Sequence, residues 1–151
     1  SPRSLKMANV SDPAIADAYA DVRNDKTETD WCIFGYSDSN TIVHKASGSG
    51  GLNAMKANFK DDEALYGFLR MITGDEESRR AKFVLVSWCG SGVKVLVKAR
   101  MSVHKASVKE IVRDFSYEIH YTDLDEVDED KLRTAVVKAG GANYDGQASG
   151  Q

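Results

Sequence analysis

The sequence predicts a single α/β (α+β) domain in which helices sandwich a central mixed sheet of five to six strands. The apolar pattern changes along the chain in the order helix, two strands, helix, two strands, long helix, strand, helix, which is typical of a sheet covered on both faces. The chain has 151 residues, 42% of them hydrophobic, enough for one packed core. Residues 83–86, Phe-Val-Leu-Val, are typical of a strand buried on both faces.

The helices and strands begin at recognisable signals. Asp12 followed by Pro13 predicts a helix start with a capping acid, and apolar residues then recur at helical spacing. A short helix is expected from Leu52 to Phe59. The predicted strands are residues 31–36, 41–46, 65–72, 82–88 and 117–121.

Residues 93–115 carry two conflicting patterns. Val93, Val95 and Val97 alternate as in a strand, whereas the apolar residues further on lie on a helical stripe: Val108, Ile111, Val112 and Phe115. We interpret the segment as one long helix that ends near Phe115.

The C-terminal part predicts a last helix with acids in its first turns. Asp123 is the expected cap, and Gly140-Gly141 is the expected end of the helix. Residues 142–151 are expected to be a flexible tail. Residues 1–6 precede Met7 and are interpreted as left over from an expression vector, so the predicted domain spans residues 10–141.

Side chains that could support catalysis or metal binding are scattered. The three histidines are far apart in the sequence and lack partners at metal-ligand spacing. The glycine-rich residues 47–51 lack the Gly-Lys-Ser/Thr ending of a phosphate-binding loop. The acids of residues 123–130 do not follow a calcium-loop pattern and suit the N-terminal end of a helix. We therefore expect no catalytic residue, no cofactor and no metal.

The two cysteines and the hydropathy pattern favour a cytosolic protein. Cys32 and Cys89 each lie in an apolar run, which favours two buried free thiols, although sequence alone leaves a disulfide open. No apolar stretch is long enough to span a bilayer, and no signal-peptide pattern is present.

Residues 78–113 form a strongly basic segment in a chain whose net charge is −3. Acids collect instead in the last helix. This separation of charge indicates either an ordinary solvated face or a surface for an acidic partner. Nucleic acid is a poor match because the segment lacks aromatic residues interleaved with basic ones for base stacking.

Three segments in the same order resemble the coactosin family, which shares the actin-depolymerising-factor homology (cofilin-like) fold. They are residues 73–83 (TGDEESRRAKF), 107–112 (SVKEIV) and 138–145 (KAGGANYD). Aromatic residues of the first hairpin, among them Trp31, Phe34 and Tyr36, also fit the family. The resemblance covers about residues 10–147.

This resemblance implies a mixed sheet between helices and binding to filamentous actin without depolymerisation. Lys82 matches the family's filament-binding lysine, and the other implied contacts are Arg79, Arg80, Lys98, Arg100 and Lys105. The start of the long helix only loosely matches the basic motif of the depolymerising factors, and the N-terminus lacks their regulatory serine context. Both departures favour side-binding, with opposition to barbed-end capping as an implied activity. A depolymerising or monomer-binding factor of the same fold is the alternative.

A third interpretation, from a different class, is a small enzyme, which would need a cluster of polar side chains in a pocket. The expected protein is instead a monomeric, cytoplasmic component of the actin cytoskeleton that binds neither nucleic acid nor membranes.

Overall fold

The computed structural model describes residues 6–74 and 77–149, with side chains as far as residue 140. The helices are α1 Pro13–Arg23, α2 Gly51–Met55, α3 Val95–Lys109 and α4 Glu129–Ser149. The strands are β1 Trp31–Asp38, β2 Thr41–Gly48, β3 Ala64–Thr73, β4 Arg80–Cys89 and β5 Tyr117–Tyr121. Single 3-10 turns at Lys56–Asn58 and Leu124–Glu126 precede β3 and α4. The predicted order of helices and strands is confirmed.

The five strands form one mixed sheet in the order β2-β1-β3-β4-β5. Neighbouring strands are antiparallel except β4 and β5, which are parallel. The connection between these parallel strands contains α3, because a parallel pair needs a long crossover. β4 therefore has a strand on each side, and residues 83–86 lie in the interior of the sheet as predicted.

Helices cover both faces of the sheet. α1 and α3 pack on the face that contains Phe34 and Leu85, whereas α2 and α4 pack on the face that contains Ile33 and Val84. Alternate residues of one strand thus enter two different hydrophobic clusters. Cys32 and Cys89 are both buried free thiols, as predicted.

α1 is fixed at both ends by side chains. The Asp12 carboxylate accepts hydrogen bonds from the backbone N–H groups of Ala14 (3.0 Å) and His44 (3.1 Å), which join the helix start to β2. At the other end, the Arg70 guanidinium donates to the carbonyl oxygens of Val22, Asn24 and Thr27. A cation at this position also suits the helix dipole.

α3 is shorter than the sequence predicted. It ends at Lys109 rather than near Phe115. The backbone N–H groups of residues 110–112 still donate to the carbonyl oxygens of Ser107 and Val108, but the next two leave the helical pattern. Those of Arg113 and Asp114 donate to the Tyr19 hydroxyl. The apolar stripe itself is correct, since Val108 and Val112 are buried and the other two residues are partly buried: Ile111 and Phe115.

The last helix also differs from the prediction. Asp123 caps the 3-10 turn by accepting from the N–H of Asp125, and Asp128 accepts from Lys131 at the start of α4. α4 continues through Gly140 to Ser149 instead of ending at the glycine pair. The described residues with positive φ are Gly50, Gly51 and Gly74, so Gly140 does not adopt the left-handed cap that the prediction required.

Candidate functional site

The turn before β4 carries three of the predicted basic residues. Gly74 has φ +91°, and a β-carbon there would lie 2.2 Å from the carbonyl oxygen of Ser78, so this turn requires glycine. The chain then enters β4, where Arg80 lies opposite Thr73 and Lys82 lies opposite Met71 on β3. The structure thus brings Arg79, Arg80 and Lys82 together at one end of the sheet.

Lys82 is more enclosed than its two neighbours. Arg79 and Arg80 are exposed, whereas Lys82 is half-buried. A β-carbon placed on Gly140 would lie 3.8 Å from Lys82 Nζ, so α4 passes directly beside the ammonium group. The Lys82 side chain thus leaves β4 and ends beside α4.

The first turns of α3 carry the second group of predicted residues. Lys98 is exposed and Arg100 is half-buried. Val95 and Leu96 lie beside them and are 79% and 56% exposed, respectively. Exposed apolar side chains next to cations are typical of a surface that binds another protein.

The two basic groups lie at opposite ends of β4. Lys98 lines a cleft together with Cys89, the last residue of the strand, whereas Arg80 is the first residue. Ten strand residues span about 30 Å. The structure therefore divides the sequence-predicted site into a strand-end group (Arg79, Arg80, Lys82) and a helix-start group (Lys98, Arg100).

Lys105 differs from the other predicted residues because it is already paired. Its Nζ lies 2.5 Å from Glu118 Oε2 on β5, and Lys109 lies 2.8 Å from the other carboxylate oxygen. Burial alone would raise the pKa of Glu118, but the hydrogen bonds from both lysines outweigh this effect and hold its pKa below the usual value. Both ammonium groups thus join α3 to β5.

None of the ion pairs among residues 6–74 and 77–140 involves the five residues of the strand-end and helix-start groups. Most are exposed, whereas Lys82 and Arg100 are half-buried.

A cleft of about 670 Å³ lies between α3 and β5. It contains Ser87, whose hydroxyl lies 2.7 Å from His120 Nδ1, and burial followed by the Lys105 charge lowers the pKa of His120. Tyr66, Met101 and Lys98 also line it.

In the part of the chain that the structure describes, no group of three or more His, Cys, Asp or Glu side chains could hold a metal ion.

Sequence reasoning missed the exposed apolar side chains. Val95 and Leu96 were included in a helix whose pattern was read from its C-terminal half. The buried residues of α3 recur at 101, 104 and 108, and residues 95 and 96 do not continue that spacing. This mismatch is the signal that could have identified them as a surface feature.

Comparisons with known proteins identify the family of this chain. The family described as cofilin/tropomyosin-type actin-binding protein matches residues 7–136. Coactosin of Dictyostelium discoideum is 44% identical over 144 residues, which cover 95% of this chain and 99% of that protein. The chain belongs to the coactosin family.

Other coactosins extend the comparison across distant organisms. The human coactosin-like protein is 39% identical over 86% of this chain and 90% of its own length. The crystal structure of coactosin from Entamoeba histolytica matches with a TM-score of 0.82 and 37% identity, covering 89% of this chain and 98% of that one. A Streptomyces griseoflavus cofilin structure, at 21% identity and a TM-score of 0.73, shares the fold.

No helix among the described residues is long and apolar enough to cross a membrane.

Proposed function

We propose that this coactosin binds the sides of actin filaments through the strand-end and helix-start groups, without depolymerising the filament, and that it opposes barbed-end capping. The observation that carries the proposal is the position of Lys82. This half-buried cation has no ion-pair partner among the described residues and lies at the start of β4 beside α4. A mouse coactosin of known structure is named an actin filament binding protein.

Electrostatics support an acidic partner. Actin filaments are acidic, and the chain as a whole carries a net charge of −3, so uniform attraction cannot bring the two together. The strand-end group concentrates positive charge on one end of the sheet and would orient the molecule as it approaches.

The helix-start group supplies a contact of a different kind. Lys98 and Arg100 combine charge with the exposed apolar side chains of Val95 and Leu96. Burial of such side chains against a partner contributes about 25 cal/mol per Å² of apolar surface before the costs of association. We propose that both groups contact actin.

We propose that Lys105 also contacts the filament but contributes less to the binding free energy. Its ammonium group is engaged by Glu118, so a filament carboxylate would have to compete with an anion that is already in place. We expect Lys105 to contribute less than Lys82.

The remaining parts of the proposal follow from the family and the charge distribution. We propose a monomeric, non-enzymatic protein of the cytoplasmic actin cytoskeleton that uses no cofactor and binds neither nucleic acid nor membranes. The relatives are named for binding actin rather than for catalysis.

Co-sedimentation with filamentous actin, paired with binding to monomeric actin in low salt, tests the proposal. We expect the protein to pellet with filaments and to leave the amount of sedimentable actin nearly unchanged. A clear rise in unpolymerised actin at stoichiometric protein would favour the alternative, a depolymerising or monomer-binding factor. Failure to pellet with filaments would reject filament binding.

A further inference from the structure

The strand β5 lies at one edge of the sheet, and its outer side is open. Its neighbour in the sheet is β4 alone, and among the described residues no backbone hydrogen bond outside the sheet involves residues 117–121. The opposite edge is covered at one end, because the carbonyl oxygen of Asn9 accepts from the N–H of Ile42 on β2. An uncovered strand edge is a template for pairing with another strand.

The backbone groups on this open side belong to Glu118 and His120. The carbonyl oxygen of Phe83 accepts a hydrogen bond from the N–H just before β5, so alternate residues of β4 from Phe83 onward face β5. Two of them, Leu85 and Ser87, lie opposite Glu118 and His120. In a parallel pair, a residue opposite one that faces it turns its own N–H and C=O away. These groups of Glu118 and His120 therefore point out of the sheet.

The α3 side of the strand leaves room for a second strand. A cleft of about 670 Å³ separates α3 from β5, and ion pairs from two α3 lysines to Glu118 cross it. His120 is exposed, and Tyr117 and Ile119 are half-buried. On this face a second strand can reach the edge without displacing a helix.

The sequence of β5, Tyr-Glu-Ile-His-Tyr, is complementary to itself when two copies run antiparallel. About a twofold axis at Ile119, Glu118 of each copy lies opposite His120 of the other. Tyr117 then lies opposite Tyr121, and the two isoleucines meet at the axis. Aromatic pairs and pairs of opposite polarity stabilise neighbouring strands. An axis shifted by one residue would place two glutamates or two histidines opposite each other, which makes the central register the favoured one.

We propose that the β5 edge is a self-association surface on which two copies of this chain pair antiparallel about Ile119. The outward N–H and C=O groups of Glu118 and His120 form the hydrogen bonds between the copies. Ser87 contacts Nδ1 of His120, so Nε2 is the ring nitrogen that would donate to Glu118 of the second copy. A carboxylate offers about four lone-pair sites, so Glu118 can keep both lysine partners.

The pairing is weak and depends on concentration. β5 supplies five residues from each copy, far fewer than the roughly 20–30 a side of a stable interface. The dilute protein therefore remains monomeric, and pairs form where the protein is concentrated. None of the predicted actin contacts lies on β5, so this inference does not rest on the proposed function.

Cysteine trapping tests the register. In the proposed pair, the Cα atoms of the two Ile119 residues are about 4.5 Å apart, a distance that a disulfide can bridge. Ile119→Cys should form linked dimers at least about tenfold faster than Val43→Cys, because Cα atoms more than about 7 Å apart cannot be bridged. Val43 is the matched control, since it is also half-buried and lies on the opposite edge strand. Glu118→Cys mixed with His120→Cys should cross-link faster than either variant alone.

A dilution series followed by NMR measures association without a cross-link. In the parent, the amide chemical shifts of β5 should change with protein concentration, whereas those of β2 should stay constant. Ile119→Lys places two ammonium groups at the axis, and His120→Glu places each Glu118 opposite another acid, so both should abolish the change. Val43→Lys should behave as the parent. Circular dichroism melts report whether each variant is folded, and the exposed His120 is the safer position.

Three results would overturn the inference. One is β5 chemical shifts in the parent that do not change up to about millimolar protein, where an association of this size should be visible. Another is parent-like association of a folded His120→Glu protein. The third is cross-linking of Ile119→Cys no faster than that of Val43→Cys, or no advantage for the mixed Glu118→Cys and His120→Cys pair, since either would reject the antiparallel register.

Discussion

Lys105 Nζ on α3 lies 2.5 Å from Glu118 Oε2 on β5, and Lys109 binds the other oxygen of the same carboxylate. One acid on the edge strand thus pairs with two cations that the sequence assigned to a single basic segment. The predicted contacts that form no salt bridge within the described residues lie at the two ends of β4.

This arrangement predicts different outcomes for two lysines. Lys105→Ala should change filament binding by less than about twofold and lower the free energy of unfolding by up to about 1 kcal/mol, since the pair is partly exposed to solvent. Glu118→Gln should have a similar effect on stability. Urea unfolding and co-sedimentation measure the two quantities. A binding loss for Lys105→Ala as large as that for Lys82→Ala would contradict this ranking.

The buried His104 predicts a dependence of stability on pH. Its Nε2 donates to the carbonyl oxygen of Lys6 (2.9 Å), and its Nδ1 lies 2.8 Å from the Tyr36 hydroxyl. Desolvation lowers the pKa of His104 from 6.5, against the raising effect of the Lys6 hydrogen bond. The unfolded chain therefore binds a proton more readily below pH 6.5 than the folded chain does.

Stability should accordingly be complete above pH 6.5 and fall as the pH is lowered towards the folded-state pKa. His120 acts in the same direction, because burial also lowers its pKa. Denaturant unfolding between pH 7.5 and 5.5 should show this decrease, and His104→Gln should reduce the slope while leaving the part due to His120. Equal slopes for parent and variant would show that His104 does not titrate as described.

Two neighbouring glycines offer a matched test of packing at the end of β4. A β-carbon on Gly90 would lie 2.1 Å from the carbonyl oxygen of Asp61, whereas one on Gly92 would lie 3.2 Å from the same atom. Gly90→Ala should therefore destabilise the domain by about 3 kcal/mol or more, and Gly92→Ala by less than about 1.5 kcal/mol. Thermal melts compare the two. A smaller loss for Gly90→Ala than for Gly92→Ala would contradict the packing at this corner.

The separation of the two basic groups predicts additive effects on binding. Sites more than about 10 Å apart that share no partner usually combine their free-energy changes within about 0.5 kcal/mol. Lys82→Ala and Lys98→Ala lie at opposite ends of β4, so the double variant should lose the sum of the two single losses. Co-sedimentation of the three variants measures this sum, and a strong departure from additivity would mean that the two ends are coupled.

The sequence predicted the sheet well because its strands have clear local signals. Residues 117–121 were assigned with the bounds that the structure shows, since Tyr117, Ile119 and Tyr121 alternate with polar residues. The end of α3 was wrong because it depends on Tyr19, which lies 94 residues away from Arg113 in the chain. A contact between residues so far apart in the chain produces no pattern in the sequence around Phe115 that could predict where the helix ends.

Sequence alone could propose the residues of the candidate site but not their arrangement. The basic residues of segment 78–113 were identified together. In the structure, Arg80 lies at the first residue of β4 and Lys98 lies near Cys89, its last residue, so the two are at opposite ends of the strand. The pairing of Lys105 with Glu118 could not be read from spacing, because it joins a helix to an edge strand.

The central claim is that Lys82 is a filament contact. Lys82→Ala should weaken filament binding by about 1–3 kcal/mol, and Lys82→Glu should weaken it further by adding repulsion from acidic actin. Both variants should keep their stability within about 0.5 kcal/mol of the parent, as is usual for substitutions near a surface. Lys131→Glu, on an exposed part of α4, is the control with the same charge change and should have little effect.

The most direct measurement is co-sedimentation of Lys82→Glu with filamentous actin over a range of actin concentrations, alongside the parent and Lys131→Glu, with circular dichroism melts of all three. The expected result is a folded Lys82→Glu protein that stays largely in the supernatant while the other two pellet. Pelleting of Lys82→Glu to the same extent as the parent would contradict the assignment and place the contact elsewhere on the molecule.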